Sequence, residues 1–308
     1  MKTDCEKKRN LRNGILFCLP WIIGFLGFQL LPLLQSAYYS FTEFNAIKAP
    51  KWVGFANYAA LLKDDLFYKS LANTAFYTVF SVIIFISLAM VLALSIQEKF
   101  VGRPFFRTVF FVPSIVPVVA TTMIWIWIFD PVNGVLNRIL KRIGAVQPLW
   151  LTDARYTKWA VLIIGAWCVG TTMIIFLAAL KDIPKTLYEA AEVDGAGPLV
   201  KFFRISLPMM SHIVVYQIVL CIIASFQIFT QPQIIAMMTY GGTKPQAAGG
   251  PENSLLMYSI YLYQNAFVYL KMGKASAMAW ILFFIVMAVT LLFLKWSKRY
   301  MGIGTGED

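Results

Sequence analysis

The chain has 308 residues, of which 59% are hydrophobic and only 14% are charged, and its formal net charge is +12. Soluble globular domains carry about 25% charged residues, so this composition excludes a soluble enzyme, a disordered chain and a fibrous repeat. A basic excess also suits nucleic-acid binding, but here the basic residues lie between long apolar runs, and we expect no nucleic-acid partner.

Six apolar runs contain no Asp, Glu, Lys or Arg. In chain order they are Gly14–Phe41, Asn73–Ile96, Thr108–Phe129, Trp159–Leu180, His212–Phe229 and Ala275–Leu294. A helix of about 20 residues crosses roughly 30 Å of hydrocarbon. Because backbone polar groups in lipid must be satisfied within their own segment, the runs predict an all-α polytopic membrane protein. We expect six transmembrane helices in a single domain, residues 1–308.

The basic residues that flank these runs predict the orientation. With the N-terminus in the cytoplasm, the inner segments are 1–13, 97–107, 181–211 and 295–308, and they hold 15 of the 27 Lys and Arg residues. Their basic density is about double that of the outer segments, which agrees with the positive-inside tendency. Both termini are therefore predicted to be cytoplasmic. The first run is too long for a secretory signal peptide, so we expect it to be retained as a span.

No charged residue lies inside any of the six runs. A carboxylate within the membrane is the usual device for coupling transport to protons or sodium ions, so the energy for uphill transport is expected to come from outside this chain. The four cysteines have no ligand-like spacing, and we predict no metal site, no catalytic residue, no cofactor and no enzymatic activity. The sequence also lacks a G-x-x-x-x-G-K-[ST] phosphate loop, so we do not expect this chain to bind ATP in that way.

The inner segment 181–211 has the pattern of a short helix, a glycine break and a second helix. Pro184 suits the first turn of a helix, and Gly195 and Gly197 allow the sharp turn that ends it. The helix between them has a small, partly apolar face that could enter a groove on a partner protein. A helix lying on the lipid surface would show a similar pattern, although the acidic residues disfavour a lipid anchor. On composition alone, both interpretations are open.

The same segment contains Glu189-Ala190-Ala191, Asp194-Gly195-Ala196, Ile205 and Leu207-Pro208. These residues resemble the EAA loop of permease subunits from binding-protein-dependent ABC importers, and the resemblance covers nearly the whole chain. It points to the maltose and glycerol-phosphate permease group. The other matching residues are Ser40-Phe41-Thr42, Val53-Gly54, Asn57-Tyr58, Asn73-Thr74, Arg103, Phe106-Arg107, Pro113, Trp125, Asn133-Gly134, Asn137, Trp167, Gly170, Met173, Ile183-Pro184 and Thr239 with Gly241-Gly242.

Two stretches depart from the family pattern. His212 stands where a proline is common in the family. Gly241-Gly242-Thr243 begins an outer loop, 241–254, that is longer than the common form. The fine geometry of this loop is therefore not carried over from the family.

The resemblance implies a type I ABC importer permease fold and a subunit that translocates a carbohydrate across the plasma membrane by alternating access. The implied partners are a second homologous permease, two ABC ATPase subunits that bind ATP and Mg²⁺, an extracellular solute-binding protein, the lipid bilayer and the sugar. One ATPase would dock on the coupling residues, in which Glu189 and Asp194 cap or form ion pairs and Gly195 provides the turn. The coupling residues are Leu187, Tyr188, Glu189, Ala190, Ala191, Asp194, Gly195, Ala196 and Gly197.

Polar and aromatic residues in the fourth and fifth runs are candidates for the sugar path, because sugars bind through hydroxyl hydrogen bonds and aromatic stacking. These stretches correspond to sugar-lining parts of maltose-type permeases. The candidates are Trp167, Gly170, Thr171, Thr172, Ser225, Phe226, Gln227, Phe229 and Gln231. The same residue types also join membrane helices to one another, so a purely structural role is open. Trp125 and Trp127 are expected to be interfacial anchors.

The chemistry of the substrate is only partly constrained. The spans contain no Lys or Arg, which favours a neutral mono- or oligosaccharide over a phosphorylated compound. The alternative function is a stand-alone secondary transporter or channel for a small polar solute. The lack of intramembrane charge and the long inner loop argue against it.

Overall fold

Helices make up nearly all of the regular structure in residues 2–98, 100–239 and 249–300, which are the residues that the computed structural model describes. The first eight α-helices are α1 (Lys2–Phe25), α2 (Leu31–Ser40), α3 (Ala56–Leu61), α4 (Asp65–Gln97), α5 (Arg103–Phe111), α6 (Val118–Ile128), α7 (Val135–Arg142) and α8 (Ala154–Trp167). They are followed by α9 (Gly170–Asp182), α10 (Lys185–Val193), α11 (Pro198–Lys201), α12 (Leu207–Met209), α13 (Ser211–Phe226), α14 (Thr230–Thr239), α15 (Tyr258–Tyr263) and α16 (Met272–Tyr300). Short π-helical turns cover Leu26–Leu30, Phe202–Ser206 and Gln264–Val268, and 3₁₀ turns cover Val112–Ser114 and Pro251–Asn253.

Four of the described helical stretches are each long and apolar enough to cross a membrane. They are Asn10–Ser40, Asp65–Gln97, Ser211–Thr239 and Met272–Lys298. Two bent pairs of helices meet the same condition only as pairs, which gives up to six crossings. The prediction of an all-α polytopic membrane protein is therefore confirmed.

The helices differ from the predicted spans at their ends. α4 begins at Asp65 rather than Asn73, because the Asp64 side chain caps it by accepting a hydrogen bond from the Leu66 N–H. The fifth predicted span ends at Phe229, whereas helical structure continues to Thr239. Runs without charge identify the part of a helix that suits hydrocarbon, but a helix continues past it wherever polar residues and caps allow.

The third predicted span, 108–129, is not a straight helix. α5 leads into the 3₁₀ turn Val112–Ser114, and α6 then starts at Val118 at an angle of 99° to the α5 segment. Pro117 stands at the cap of α6 with an extended ψ of 134°. A proline removes a backbone donor and disfavours helical geometry in the residue before it. Pro113 and Pro117 therefore explain where this span breaks.

The fourth predicted span, 159–180, is also broken. α8 ends at Trp167, and α9 leaves it at an angle of 48°. No proline is involved. At the start of α9, a Cβ on Gly170 would lie 2.4 Å from the carbonyl oxygen of Phe110 and 2.8 Å from the Cα of Phe111. The glycine therefore allows the backbones of α5 and α9 to touch at the break.

The chain forms two compact units, and the first consists of the residues up to Lys63 with Leu262–Ile281. Here an antiparallel hairpin pairs Thr42 with Trp52 and Glu43 with Lys51. The amide of Asn57 donates to the carbonyls of Ser40 and Thr42, both at 2.9 Å, and fixes the chain as it leaves α2. These contacts give a structural reason for the Ser40-Phe41-Thr42 and Asn57-Tyr58 motifs of the first outer loop.

The second unit consists of Asp64–Tyr261 with the residues from Leu282 onward. α4 packs against α8, α9 and α13. At its C-terminal half, α4 contributes to an apolar core whose fully buried members include Ala93, Met173 and Phe176. At its N-terminal half, the buried stripe of α4 is polar. The stripe consists of Ser70, Asn73, Thr74, Thr78 and Ser81.

Candidate functional site

The predicted helix–glycine–helix pattern of the inner loop is confirmed. α10 ends in a Schellman motif: the Ala196 N–H donates to the Ala191 carbonyl at 2.8 Å, and the Gly195 N–H donates to the Glu192 carbonyl at 3.0 Å. Gly195 has a φ of +74°, which lies in the left-handed region that glycine adopts readily. Gly197 has an ordinary φ of −72°. The turn therefore depends on the first glycine and not on the second.

Two side chains of α10 attach the helix to the segment that follows it. The Tyr188 hydroxyl lies 2.9 Å from the Ser206 hydroxyl, and the Tyr188 ring packs against the apolar core. One turn later, Glu192 accepts a hydrogen bond of 2.6 Å from the ammonium group of Lys201. The capping or ion-pairing role predicted for Glu189 and Asp194 is not seen within the described residues, where Glu192 is the carboxylate of this helix that forms an ion pair. Tyr188, a predicted coupling residue, faces the chain's own residues.

The opposite face of α10 is uncovered. Its residues are Thr186, Leu187, Glu189, Ala190 and Val193, all of which are exposed. Val193 is 89% exposed and Leu187 is 40% exposed. Asp194 and Gly197, beyond the helix, are exposed as well, whereas Ala191 and Ala196 are half-buried. The helix is therefore fixed on one side and presents a small, mixed apolar and acidic surface on the other.

The nine predicted substrate-path residues lie at two breaks in the helices. Trp167 and Gly170 flank the break between α8 and α9, and Ser225 and Gln231 flank the break at 227–229 between α13 and α14. Broken helices at membrane depth are typical of substrate sites in transporters, because they expose backbone groups to a polar path. The position of these residues is consistent with a path, but their role stays a prediction.

The side chains at the two breaks point in different directions. Trp167 (40% exposed), Thr171 and Gln227 are exposed, and Thr172, Phe229 and Gln231 are half-buried. Ser225 and Phe226 are buried within the chain, and the Ser225 hydroxyl lies 2.7 Å from the Ser81 hydroxyl of α4. Ser225 therefore joins two helices in this conformation, as polar residues in membranes commonly do.

The third break, between α5 and α6, was not foreseen as part of the site. It lies beside the break of α8 and α9, because the Cys168 thiol is 3.8 Å from the Pro113 carbonyl and the rings of Trp125 and Trp167 meet edge to face at 5.8 Å. Trp127 is 77% exposed, as an interfacial anchor would be. Trp125 differs from that expectation, since its indole N–H is buried.

Three buried polar side-chain atoms lie on α6 and α14, two helices that pack against each other. Thr121 Oγ1 and Trp125 Nε1 of α6 and Gln233 Oε1 of α14 have no hydrogen-bond partner in the described part of the chain. Native structures seldom leave buried polar groups unpaired. In the sequence, the i, i+4 spacing of Thr121 and Trp125 already indicates that both side chains lie on one face of a helix.

The outer loop 241–254 lies only partly within the described residues, because 240–248 are outside them. The part that is described is held by α4. The Asn73 amide donates to the carbonyls of Asn253 at 2.8 Å and Leu256 at 3.1 Å, and the Thr74 hydroxyl accepts from the Tyr258 N–H at 2.8 Å. In residues 2–98, 100–239 and 249–300, no group of three or more His, Cys, Asp or Glu could hold a metal ion.

Two curated proteins are similar to this chain over nearly its full length. "Probable ABC transporter permease protein YesP" of Bacillus subtilis is 36% identical, with 98% of this chain and 97% of that protein covered. "Arabinooligosaccharides transport system permease protein AraP" of the same organism is 30% identical, with 94% and 90% covered.

A solved structure and a family description agree with these relatives. A chain from the crystal structure of a bacterial alginate ABC transporter, in complex with an alginate pentasaccharide-bound periplasmic protein, superimposes with a TM-score of 0.77. It is 22% identical, and 97% of this chain and 99% of that chain are covered. The fold is therefore that of a type I importer permease. Residues 85–301 match the family described as "Binding-protein-dependent transport system inner membrane component". This chain belongs to that family of multi-pass plasma-membrane proteins.

Proposed function

We propose that this chain is one of two homologous permease subunits of an ATP-driven importer for a carbohydrate. Family membership supports the transport role, and the relative named for arabinooligosaccharide transport supports a carbohydrate. The six runs without charged residues favour a neutral sugar. Two ATPase subunits would bind ATP and Mg²⁺, and an extracellular solute-binding protein would deliver the sugar.

The observation that carries the proposal is the geometry of α10. A helix that transmits force must be fixed rigidly to its own protein and free to contact another one. Tyr188 and Glu192 fix one side of α10 through Ser206 and Lys201. The other side presents Val193 at 89% exposure. An apolar side chain exposed at the end of an inner loop fits the groove of a protein partner.

We propose that the residues from Leu187 to Gly197 couple the ATPase to the membrane helices. When the ATPases close, they displace α10 as a rigid body, because its attachments on the fixed side resist rotation. The displacement reaches the core through the Tyr188 ring, which packs against it, and reaches α9 through Ile183, which is 6% exposed. α9 carries Gly170, Thr171 and Thr172 at the α8–α9 break, so motion of the loop changes the path where the sugar would pass.

A charge placed on the free side of α10 tests this arrangement. Val193→Asp is expected to lower ATP-dependent sugar uptake of the reconstituted importer at least about tenfold, because burying a valine contributes about 1.5–3 kcal/mol. The chain should still reach the membrane, since Val193 makes no core contact. Co-purification of the ATPase should fall in parallel.

The matched control is Val101→Asp. Val101 is fully exposed and lies in another turn on the predicted inner side, between α4 and α5. This variant should retain uptake within about twofold of wild type. Wild-type uptake by Val193→Asp would refute the docking role of α10. Sugar transport by the purified chain without ATPase subunits would refute the proposed function as a whole.

A further inference from the structure

α5 and α9 enclose an open cavity of about 610 Å³ at the ends that the sequence predicts to be cytoplasmic. Three cations line it: Arg103 and Arg107, one turn apart on α5, and Lys181 in the last turn of α9. No carboxylate is among the lining residues. The remaining ones are Pro104, Thr108, Phe111, Val112, Ile115 and Ile174.

Within the described residues, none of the three cations forms an ion pair with a carboxylate. In the part that the structure describes, the salt bridges are Arg155–Asp153 and Lys201–Glu192, and Arg103, Arg107 and Lys181 take part in neither. Like charges that share one cavity repel one another, and an anion held between them removes that repulsion. The charge of the cavity therefore favours an anionic ligand.

The apolar half of the cavity narrows the class of ligand. Phe111, Val112, Ile115 and Ile174 continue from the cations toward the middle of the two broken spans. Val112 is 46% exposed and Ile115 is 65% exposed, and α5 has no buried residue. A free anion would match the basic rim and leave this apolar surface uncovered. A molecule with an anionic head and a hydrocarbon tail matches both halves.

We propose that this cavity binds one anionic phospholipid of the cytoplasmic leaflet. Its phosphate lies between Arg103, Arg107 and Lys181, and an acyl chain runs along Phe111 and Ile115. Basic pockets between membrane helices on the cytoplasmic side bind anionic lipid headgroups, because their cations lie at the depth of the headgroup phosphates. The bound lipid would join α5 to α9 close to their backbone contact at Gly170. None of the lining residues is among the coupling residues from Leu187 to Gly197, and the proposal depends only on the predicted side of the membrane.

The test measures thermal unfolding of the purified full chain in a neutral detergent, titrated with phosphatidylglycerol, phosphatidylcholine or inorganic phosphate. A ligand that binds only the native state raises the unfolding midpoint. We expect a rise with phosphatidylglycerol and none with the other two. In Arg103→Gln/Arg107→Gln, the lipid concentration for half the effect should increase about thirtyfold, from the loss of two cations near the headgroup.

The matched control is Arg138→Gln/Arg142→Gln, which removes two exposed arginines with the same i, i+4 spacing from α7. It should respond to phosphatidylglycerol as wild type does. Lys181→Gln, a single exposed change, carries the test if the double variant fails to fold, with native mass spectrometry counting the retained lipid.

Three outcomes would overturn the proposal. An equal response to phosphatidylcholine would indicate unspecific filling by lipid. A full response to inorganic phosphate would indicate a site for a free anion. An unchanged lipid response in both cavity variants, together with loss of a co-purifying ATPase or permease, would assign the cations to a protein interface instead.

Discussion

Asn73 gives the sharpest test of how α4 holds the turn at 253–256 in the second unit. Its side chain is 2% exposed, and its amide donates to two carbonyls, those of Asn253 and Leu256. Glu252 and Asn253 have positive φ values of 50° and 56°, which non-glycine residues seldom adopt. The Asn73 amide therefore stabilises a strained turn and pairs with one buried and one partly buried carbonyl.

Replacing Asn73 with Ala removes the donor to the Leu256 carbonyl, whereas the Asn253 carbonyl keeps its hydrogen bond of 3.2 Å from the Leu256 N–H. A buried group that loses its partner costs about 1–3 kcal/mol, so we expect a loss of about 1–3 kcal/mol in the free energy of unfolding. The unfolding midpoint in detergent should fall by at least about 2 °C. Protease cleavage in the segment 249–257 should become faster, since this turn is what the amide holds.

Asn73→Asp separates hydrogen bonding from charge. Lys158 Nζ lies 3.5 Å from Asn73 Oδ1, so a carboxylate would gain an ion pair with that ammonium group. It would also point an oxygen at the two carbonyls that now accept hydrogen bonds. We expect Asn73→Asp to be at least as unstable as Asn73→Ala. Stability equal to wild type in Asn73→Asp, or a change in Asn73→Ala no larger than in the exposed control Asn133→Ala, would refute this reasoning.

Two further predictions concern glycines. Gly195→Ala should destabilise the end of α10 by about 1–2 kcal/mol, because Gly195 has a positive φ. Gly197→Ala should be neutral, because Gly197 has an ordinary φ and free space around it. Amide hydrogen exchange across the loop measures both variants, and equal exchange in the two would contradict the assignment. Gly170→Val should lower the unfolding midpoint sharply, because the new Cβ would meet the Phe110 carbonyl. Gly14→Val should be neutral, because a Cβ at Gly14 would have no atom within 4 Å. A stable Gly170→Val protein would disprove the close contact.

The membrane class and the number of spans could be predicted because both depend on composition along the chain. A run such as 73–96 identifies itself by the absence of charge. The shape of the spans could not be predicted equally well. Pro113 and Pro117 mark a break in the third span, although nothing local gives its angle of 99°. The break at Cys168 has no local signal, since it depends on the contact of Gly170 with another helix.

The coupling loop shows the same division between local and distant causes. Gly195 was predictable, because a helix end with a left-handed residue is specified by the residues next to it. The attachment of α10 was not. Tyr188 and Glu192 could have faced a partner as easily as Glu189, and only the positions of Ser206 and Lys201 decide which side is fixed.

The predicted sugar path was identified from residue type, and residue type does not report direction. Ser225 and Gln227 are two positions apart in a polar stretch, yet one is bonded to Ser81 and the other is exposed. The stretches that the family resemblance indicated lie at the helix breaks, and their role as a sugar path stays a prediction. The rotation of each helix about its axis follows from tertiary packing, which a single sequence does not contain.

α4 has 33 residues without interruption, which at 1.5 Å per residue makes it about 50 Å long, well beyond the roughly 30 Å of hydrocarbon. Near one end, Asn73 and Thr74 form hydrogen bonds to the turn at 253–258. The other end lies in the apolar core against which Tyr188 of α10 packs. The helix is therefore one continuous connection between these two regions. A force applied to the turn at 253–258 and a force applied to α10 would therefore act on the same uninterrupted helix.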